Sequence, residues 1–343
     1  MSHTLGVGFL GAGPATQAIH LPVLATMPDR FHVASIMDID AEIAAKVAGR
    51  CGAKAVTTAE AAIEDPSVDI LAICSPNGFH ADQVIAGCEA GKRAILCEKP
   101  LAVSTEEARR IRSAAQRYGT PVMVGTMHAY DPAYQAAKTA WMETGNTARF
   151  VQSAIYLPGN DVFINQATDQ GNVLPVKRGG GDGIASPPQL FQAAILGLAI
   201  HNVPLVRNYY PSVGVVRSAR HVKPFGYSVL LANGDQNASL QALMPGAWPP
   251  KWRFKVIGER AQLNIEFPPS YVLSGSGRAT LLAGDIARTF SFRENGYEVQ
   301  WRHLHDVVAK QKDLIIPFDV AVNDIEFALS LARSGSEIIG SAA

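Results

Sequence analysis

From Leu5 to about Gly125 the chain alternates short apolar runs with stretches of helical periodicity, and no other feature restricts its fold as much. Strands separated by crossover helices pair in parallel, because each helix carries the chain back to the same end of the sheet. Strand-like runs fall at Leu5–Leu10, Phe31–Met37, Ala55–Thr57, Ile70–Cys74, Ala94–Cys97 and Val122–Gly125. Helical spacing fills Ala15–Ala25, Ala41–Cys51, His80–Ala90 and Thr105–Tyr118. Ser104 with Glu107 three residues on is a capping box, and Asp40 is a natural N-cap for the helix after it. Six such strands predict a doubly wound sheet with its ligand crevice at the carboxyl ends of the strands.

After Pro121 the pattern changes. A helix is expected at about Pro132–Glu143, then a strand at Ala148–Leu157. Gly159–Pro188, which contains Gly179-Gly180-Gly181-Asp182-Gly183, reads as a long binding loop or lid. A helix at Leu190–Tyr210 follows, then β-type segments at Val213–His221, Tyr227–Ala232, Ala238–Met244, Phe254–Gly258, Gln262–Glu266, Arg278–Leu282 and Thr289–Phe292. Strands without intervening helices predict a mainly antiparallel sheet. With 343 residues, more than one core usually serves, the expected organisation is a dinucleotide-binding domain over 1–126 and an α+β substrate and oligomerisation domain over 127–315. A C-terminal helix, 316–343, is expected to pack back on the first domain.

Thirty basic residues cancel thirty acidic ones, so no overall field favours nucleic acid or an anionic membrane. The apolar run at Leu5 is broken by Gly6, Gly8, Gly11, Gly13 and Pro14 and has no basic leader, so it reads as neither signal peptide nor membrane span. Cys51, Cys74, Cys88 and Cys97 lack metal spacing and read as reduced thiols of a cytoplasmic protein. No metal-binding histidine motif occurs, so no metal is expected.

The first strand runs into Gly11-Ala12-Gly13-Pro14-Ala15-Thr16, a GxGxx(G/A)-like turn with Thr in the third small position. Gly11 permits the tight turn, Gly13 lets backbone approach a pyrophosphate, and the helix beginning there offers N–H groups and the positive end of its dipole. This is the entry to a Rossmann fold. Asp38 ends the second strand 25 residues after Gly13, placed to accept both ribose hydroxyls of an adenosine. Ile39 follows it where an Arg would neutralise a 2′-phosphate, so NAD is expected in preference to NADP.

The fourth strand leads into Ser75-Pro76-Asn77-Gly78-Phe79-His80, and the fifth into Glu98-Lys99-Pro100. Both lie where the nicotinamide end would rest. In this order and spacing the motifs resemble the Gfo/Idh/MocA family of sugar and polyol oxidoreductases, continuously over about 5–135 and more weakly beyond. A desolvated Lys99 beside a cationic ring suits proton exchange with a substrate hydroxyl, and the resemblance implies that role. It also implies that Glu98 orients the nicotinamide or Lys99, that Ser75, Pro76, Asn77 and His80 line the cofactor, and that Pro100 fixes the loop, through a cis bond.

In the family a second-domain helix carries an Asp-x-x-x-His pair. His201 matches the His as auxiliary catalyst, with Asn202 beside it on the substrate side, but Gly197 stands at the Asp position and Pro204 at another usual Asp. Asp182, Gln189 or Gln192 would have to replace it. His128 and Tyr130 occupy a stretch similar to the family's Arg-Arg-Phe/Tyr-Asp-Pro, as substrate-binding residues with the Arg lost. Trp248 and Trp252 read either as sugar-stacking rings or as core and subunit contacts. The expected function is NAD-dependent hydride transfer to or from a secondary alcohol of a carbohydrate-like small molecule, in a homodimer or homotetramer. Two alternatives are an enzyme that keeps and recycles NAD during elimination or epimerisation, and a catalytically degenerate NAD-binding sensor.

Overall fold

The computed structural model describes residues 4–167 and 185–341. The chain falls into two compact units. Among the described residues the first comprises 4–125, 164–167 and 300–323, and the second 126–163, 185–299 and 324–341.

The first unit holds a six-stranded sheet of β1 (Leu5–Leu10), β2 (Phe31–Met37), β3 (Lys54–Val56), β4 (Ile70–Ile73), β5 (Ala94–Cys97) and β6 (Val122–Val124). The order is β3-β2-β1-β4-β5-β6 and every pairing is parallel. β1, β4 and β5 are buried along their whole length, which is why they are continuous apolar runs rather than alternating ones. The order reverses between β1 and β4, so the loops leaving those strands diverge and open a crevice at their carboxyl ends. Helices Ala41–Cys51 and Thr105–Tyr118 begin at caps the sequence marks. Asp40 Oδ1 accepts from the backbone N–H of Glu42 and Ile43, and Ser104 Oγ from that of Glu107. Residues 300–323 join this unit because Trp301, fully buried, packs its indole edge on Phe31 at 5.4 Å between ring centres, with Phe9 at 6.3 Å.

The second unit holds an eight-stranded sheet of β7 (Phe150–Tyr156), β8 (Val215–His221), β9 (Gly226–Asn233), β10 (Gln236–Leu243), β11 (Lys251–Ile257), β12 (Ala261–Glu266), β13 (Arg278–Ala283) and β14 (Ile286–Phe290). The order is β14-β13-β12-β11-β7-β10-β9-β8, antiparallel except for the central β10–β7 pair. Alternation sorts its faces. Val151, Ser153 and Ile155 of β7 are buried with Leu240, Trp252 and Phe254, while Phe150, Val215, Leu230 and Leu282 share the other face and are exposed. The C-terminal helix, Phe318–Ser341, contributes residues 324–341 to this unit. There Asp324 pairs with Arg207 at 2.5 Å and Ser336 Oγ donates to the Pro188 carbonyl.

Three expectations need correction. Asn160–Ala167 is helical, within what reads as loop. The single helix expected over 190–210 is three pieces, Pro187–Gly197, a 3₁₀ turn Ala199–His201, and Val203–Arg207. Pro204 is the cause, since it has no N–H to give Ile200 and its ring crowds that carbonyl. Gly296–Lys310 is a helix unmarked by the strand and tail pattern. Gly179–Asp182 lie outside the described residues. Among the described residues no helix is long and apolar enough to cross a membrane, and no three His, Cys, Asp or Glu side chains gather as a metal site. None of the four cysteines is in a disulfide. Cys88 and Cys97 are buried, Cys51 and Cys74 only half-buried.

Candidate active site

At the carboxyl end of β1, Gly11 has φ +97°, and a Cβ there would sit 2.7 Å from the Cys74 carbonyl oxygen, so conformation and space both demand glycine. A Cβ on Gly13 would meet nothing within 4 Å. That open side, at the start of a helix, is the room a pyrophosphate needs, and the turn fits a dinucleotide. Thr16, fully buried, spends its hydroxyl on the Gly11 carbonyl at 2.6 Å, and residues 16–20 form a wide π-type turn that makes space for the larger side chain. Asp38 is pinned against the same turn. Its Oδ2 accepts the Ala12 N–H and its Oδ1 the Asp40 N–H, both at 3.0 Å. Ile39 beside it is 87% exposed.

At the next strand end, Pro76 and Asn77 remain exposed, and Ser75 Oγ donates to Gln83 at 2.6 Å. His80 is corrected. It is buried, and its ring nitrogens lie 2.8 Å from the Pro100 carbonyl and 2.9 Å from the Ser75 carbonyl. It opens helix His80–Glu89 on the helix's inner face, so it staples the loop after β4 to the loop after β5 instead of offering an atom to a cofactor.

Beyond β5, Glu98 and Lys99 occupy adjacent positions, and the Lys99–Pro100 peptide is cis. Glu98 Oε1 lies 3.0 Å from His20 Nε2, and its Oε2 accepts the Lys99 backbone N–H at 3.2 Å. Burial works to raise the Glu98 carboxyl, but the His20 hydrogen bond and the Lys99 charge outweigh it and hold it below the usual carboxylate range. Burial pulls the Lys99 ammonium below its ordinary pKa, against the opposing pull of Glu98. A lysine so placed gives up its proton more readily than one in water.

The remaining residues form a cluster in the second unit. His128 Nδ1 lies 3.0 Å from Asn202 Oδ1, which also accepts the Trp252 indole N–H at 3.1 Å, and Asn202 Nδ2 donates to Ser153 Oγ at 2.9 Å. The imidazole stacks on Phe267 at 4.0 Å. Burial depresses His128 to about 3, with Asn202 pulling weakly the other way, so the ring is neutral and donates from Nδ1. His201, in the 3₁₀ turn, packs against the Trp252 ring at 5.1 Å and lies 6.2 Å from the His128 ring. His128, Tyr130 and Asn202 are 4%, 2% and 0% exposed, so in this conformation they offer a substrate almost no surface. Their polar atoms serve the core.

Of the three proposed stand-ins for the missing Asp, Asp182 lies outside the described residues and neither of the other two serves. Gln189 Oε1 accepts from Ser186 N–H at 2.8 Å as the helix cap, and Gln192 is exposed. A Cβ on Gly197 would touch the Phe225 ring at 3.5 Å, an apolar neighbour for any carboxylate placed there. Of the tryptophans, Trp252 is a core residue and Trp248 is 71% exposed.

The sequence reading missed His20, Trp301 and Ser153. For Trp301 a signal existed: Tyr297, Trp301, Leu304 and Val308 recur at helical spacing after Asn295, whose side chain accepts the Glu298 N–H. For His20 and Ser153 only three-dimensional pairing gives the role.

Residues 5–126 match the Gfo/Idh/MocA family model, described as an oxidoreductase family with an NAD-binding Rossmann fold. Inositol 2-dehydrogenase 3 of Saccharopolyspora erythraea is 38% identical over 136 residues, which are 39% of this chain and 40% of that one. 1,5-Anhydro-D-fructose reductase of Ensifer adhaerens is 38% identical over 133 residues, 37% of this chain and 39% of that one. The match thus spans about two-fifths of the relatives' length. A crystal structure of a 3-ketoreductase from Actinomadura kijaniata with NADP and TDP-benzene shares the fold over 97% of this chain and 98% of its own, with a TM-score of 0.75 and 18% identity.

Proposed function

We propose that this chain is an NAD-dependent oxidoreductase that moves a hydride between nicotinamide and a secondary alcohol or ketone of a sugar, sugar derivative or cyclic polyol. The observation that carries this reading is the half-buried Glu98–Lys99 pair beyond the end of β5, in the sheet whose β1 turn is shaped for a dinucleotide. The names of the relatives, inositol and anhydrofructose enzymes, support the substrate class. Gly11, Ala12, Gly13, Pro14 and Ala15 would hold the pyrophosphate and Asp38 the adenosine ribose. Asp38 favours a ribose with free hydroxyls, because a 2′-phosphate there would face a carboxylate with only Ile39 alongside.

Nicotinamide, when bound, supplies the hydride acceptor or donor. In the oxidative direction a neutral Lys99 Nζ takes the hydroxyl proton as the carbinol hydrogen leaves with its electron pair. In the reductive direction the ammonium returns that proton to the new alkoxide. The lowered Lys99 pKa suits both halves, since it lets the amine form exist at lower pH. His201, expected as an auxiliary proton carrier, is buried against the Trp252 ring and so offers a substrate little surface in this conformation. The exposed Phe150, Leu230 and Leu282 on the outer face of the sheet support assembly as a homodimer or homotetramer.

The test is a panel of aldoses, glycosides, inositols and sugar acids, each mixed with purified protein and NAD or NADP. Substrate-dependent NADH formation with one class, and weaker NADPH formation, is expected. Failure with every class in both directions would refute the reading.

A further inference from the structure

Behind Glu98 lies a hydrogen-bonded chain that neither the glycine turn nor the Glu-Lys-Pro tripeptide accounts for. Trp301 Nε1 lies 3.1 Å from His20 Nδ1, and His20 Nε2 lies 3.0 Å from Glu98 Oε1. An indole N–H can only donate, so His20 Nδ1 is the acceptor and its single proton sits on Nε2, aimed at the carboxylate. A second proton on Nδ1 would meet the indole N–H head-on, which opposes the rise that Cys74 and Glu98 impose on the imidazole against burial. His20 and Trp301 are both fully buried, and their rings meet edge-on at 5.8 Å. Against Glu98 Oε1 stands Gly125, which carries no side chain. A Cβ on Gly125 would lie 2.9 Å from Glu98 Oε1, so the glycine leaves the carboxylate its place.

We propose that Trp301 and His20 are positioning residues for the Glu98–Lys99 strand end. The indole fixes the imidazole tautomer, the imidazole holds one Glu98 oxygen, and the other oxygen is left to anchor the Lys99 backbone N–H. Trp301 is 281 residues from His20 in sequence, so through this chain helix Gly296–Lys310 reaches the chemistry. The inference rests on the reading of Lys99 as the acid–base group. The other titratable groups facing the chain are Cys74 beyond β4, which meets His20, and Cys97 of β5 beside Glu98. β1 offers only the Phe9 ring, 6.1 Å from His20.

The physical consequence has a sign. Without the His20 donor, buried Glu98 ionises less readily and loses its fixed orientation. Lys99 then faces a carboxylate no longer held in place beside it, so its proton affinity is less well supported and it titrates at lower pH. Competitive acetylation of the intact protein with acetic anhydride, read by mass spectrometry across pH with exposed Lys46 as reference, measures this without any substrate. His20→Phe should lower the Lys99 labelling midpoint by about half a pH unit or more, Trp301→Phe should lower it less, and His20→Gln, which can still donate from its amide, should restore it. Unchanged midpoints in His20→Phe and Trp301→Phe would overturn the proposal. If His20→Phe fails to fold, ¹⁵N NMR of the wild-type imidazole decides. The Nε2–H tautomer is expected, and the Nδ1–H tautomer or a doubly protonated ring would overturn it. Lys99→Ala turnover separates the two levels. Full turnover without Lys99 removes the acid–base reading, whereas an inactive Lys99→Ala together with unmoved midpoints removes only the positioning chain.

Discussion

Single residues carry the sharpest consequences. Asp38 is tied to Ala12 and Asp40 by both oxygens, so removing it loosens the glycine turn as well as the ribose contact. Asp38→Ala is expected to weaken NAD binding about tenfold or more and NADP binding less, measured by calorimetric titration; equal losses would assign Asp38 to turn architecture alone. His128 supplies a pH signature. Its folded value of about 3 lies below the unfolded 6.5, so the folded state resists a proton that the unfolded chain accepts. The stability it contributes is fully present above pH 6.5 and is lost as pH falls toward 3, at up to about 1.4 kcal/mol per pH unit. His128→Asn keeps a donor for Asn202 and cannot titrate, so denaturant melts of this variant should lose that part of the slope between pH 6.5 and 4.5. At this scale the sequence showed residue types but not their use. Gly11, Asp38 and Lys99 stand where their spacing put them, because local chain geometry fixes a strand-to-helix turn. His80, His128 and Asn202 were read as ligand contacts because a polar side chain near a site looks the same in sequence whether it faces solvent or a carbonyl.

At the scale of elements, hydrophobic period was enough for the parallel sheet. β1 to β6 are short buried runs between capped helices, and both signals are local. The breaks were harder to see. Pro204 ends a helix that apolar spacing alone continues through Tyr210, and the resulting 3₁₀ turn sets His201 against Trp252. The Trp252 indole N–H in turn helps hold Asn202. Trp252→Phe leaves Asn202 Oδ1 with one donor fewer in a buried site, and should cost about 1–3 kcal/mol in urea unfolding with little change in m. A loss below a few tenths of that would mean the cluster is held by packing alone.

The whole molecule combines a nucleotide-binding unit with a broad sheet whose second face is open and partly apolar. The change of pattern after Pro121 was legible in the sequence. The return of residues 300–323 to the first unit was not, because it depends on Trp301 finding Phe9 and Phe31 across the fold. If the face bearing Phe150, Leu230 and Leu282 is covered by a second copy, sedimentation at micromolar concentration should give a multiple of the 36.6 kDa chain mass. Replacing Leu230 and Leu282 with Lys should then shift the protein toward a single chain. A single-chain mass in the wild type would contradict assembly through this sheet. The central claim, that Lys99 exchanges the substrate proton while the rest of its unit binds NAD, is tested most directly by pairing wild type with Lys99→Ala on the best substrate of the panel. The expected result is NAD affinity within about twofold of wild type and turnover reduced by about a hundredfold or more. Undiminished turnover in Lys99→Ala would contradict the account.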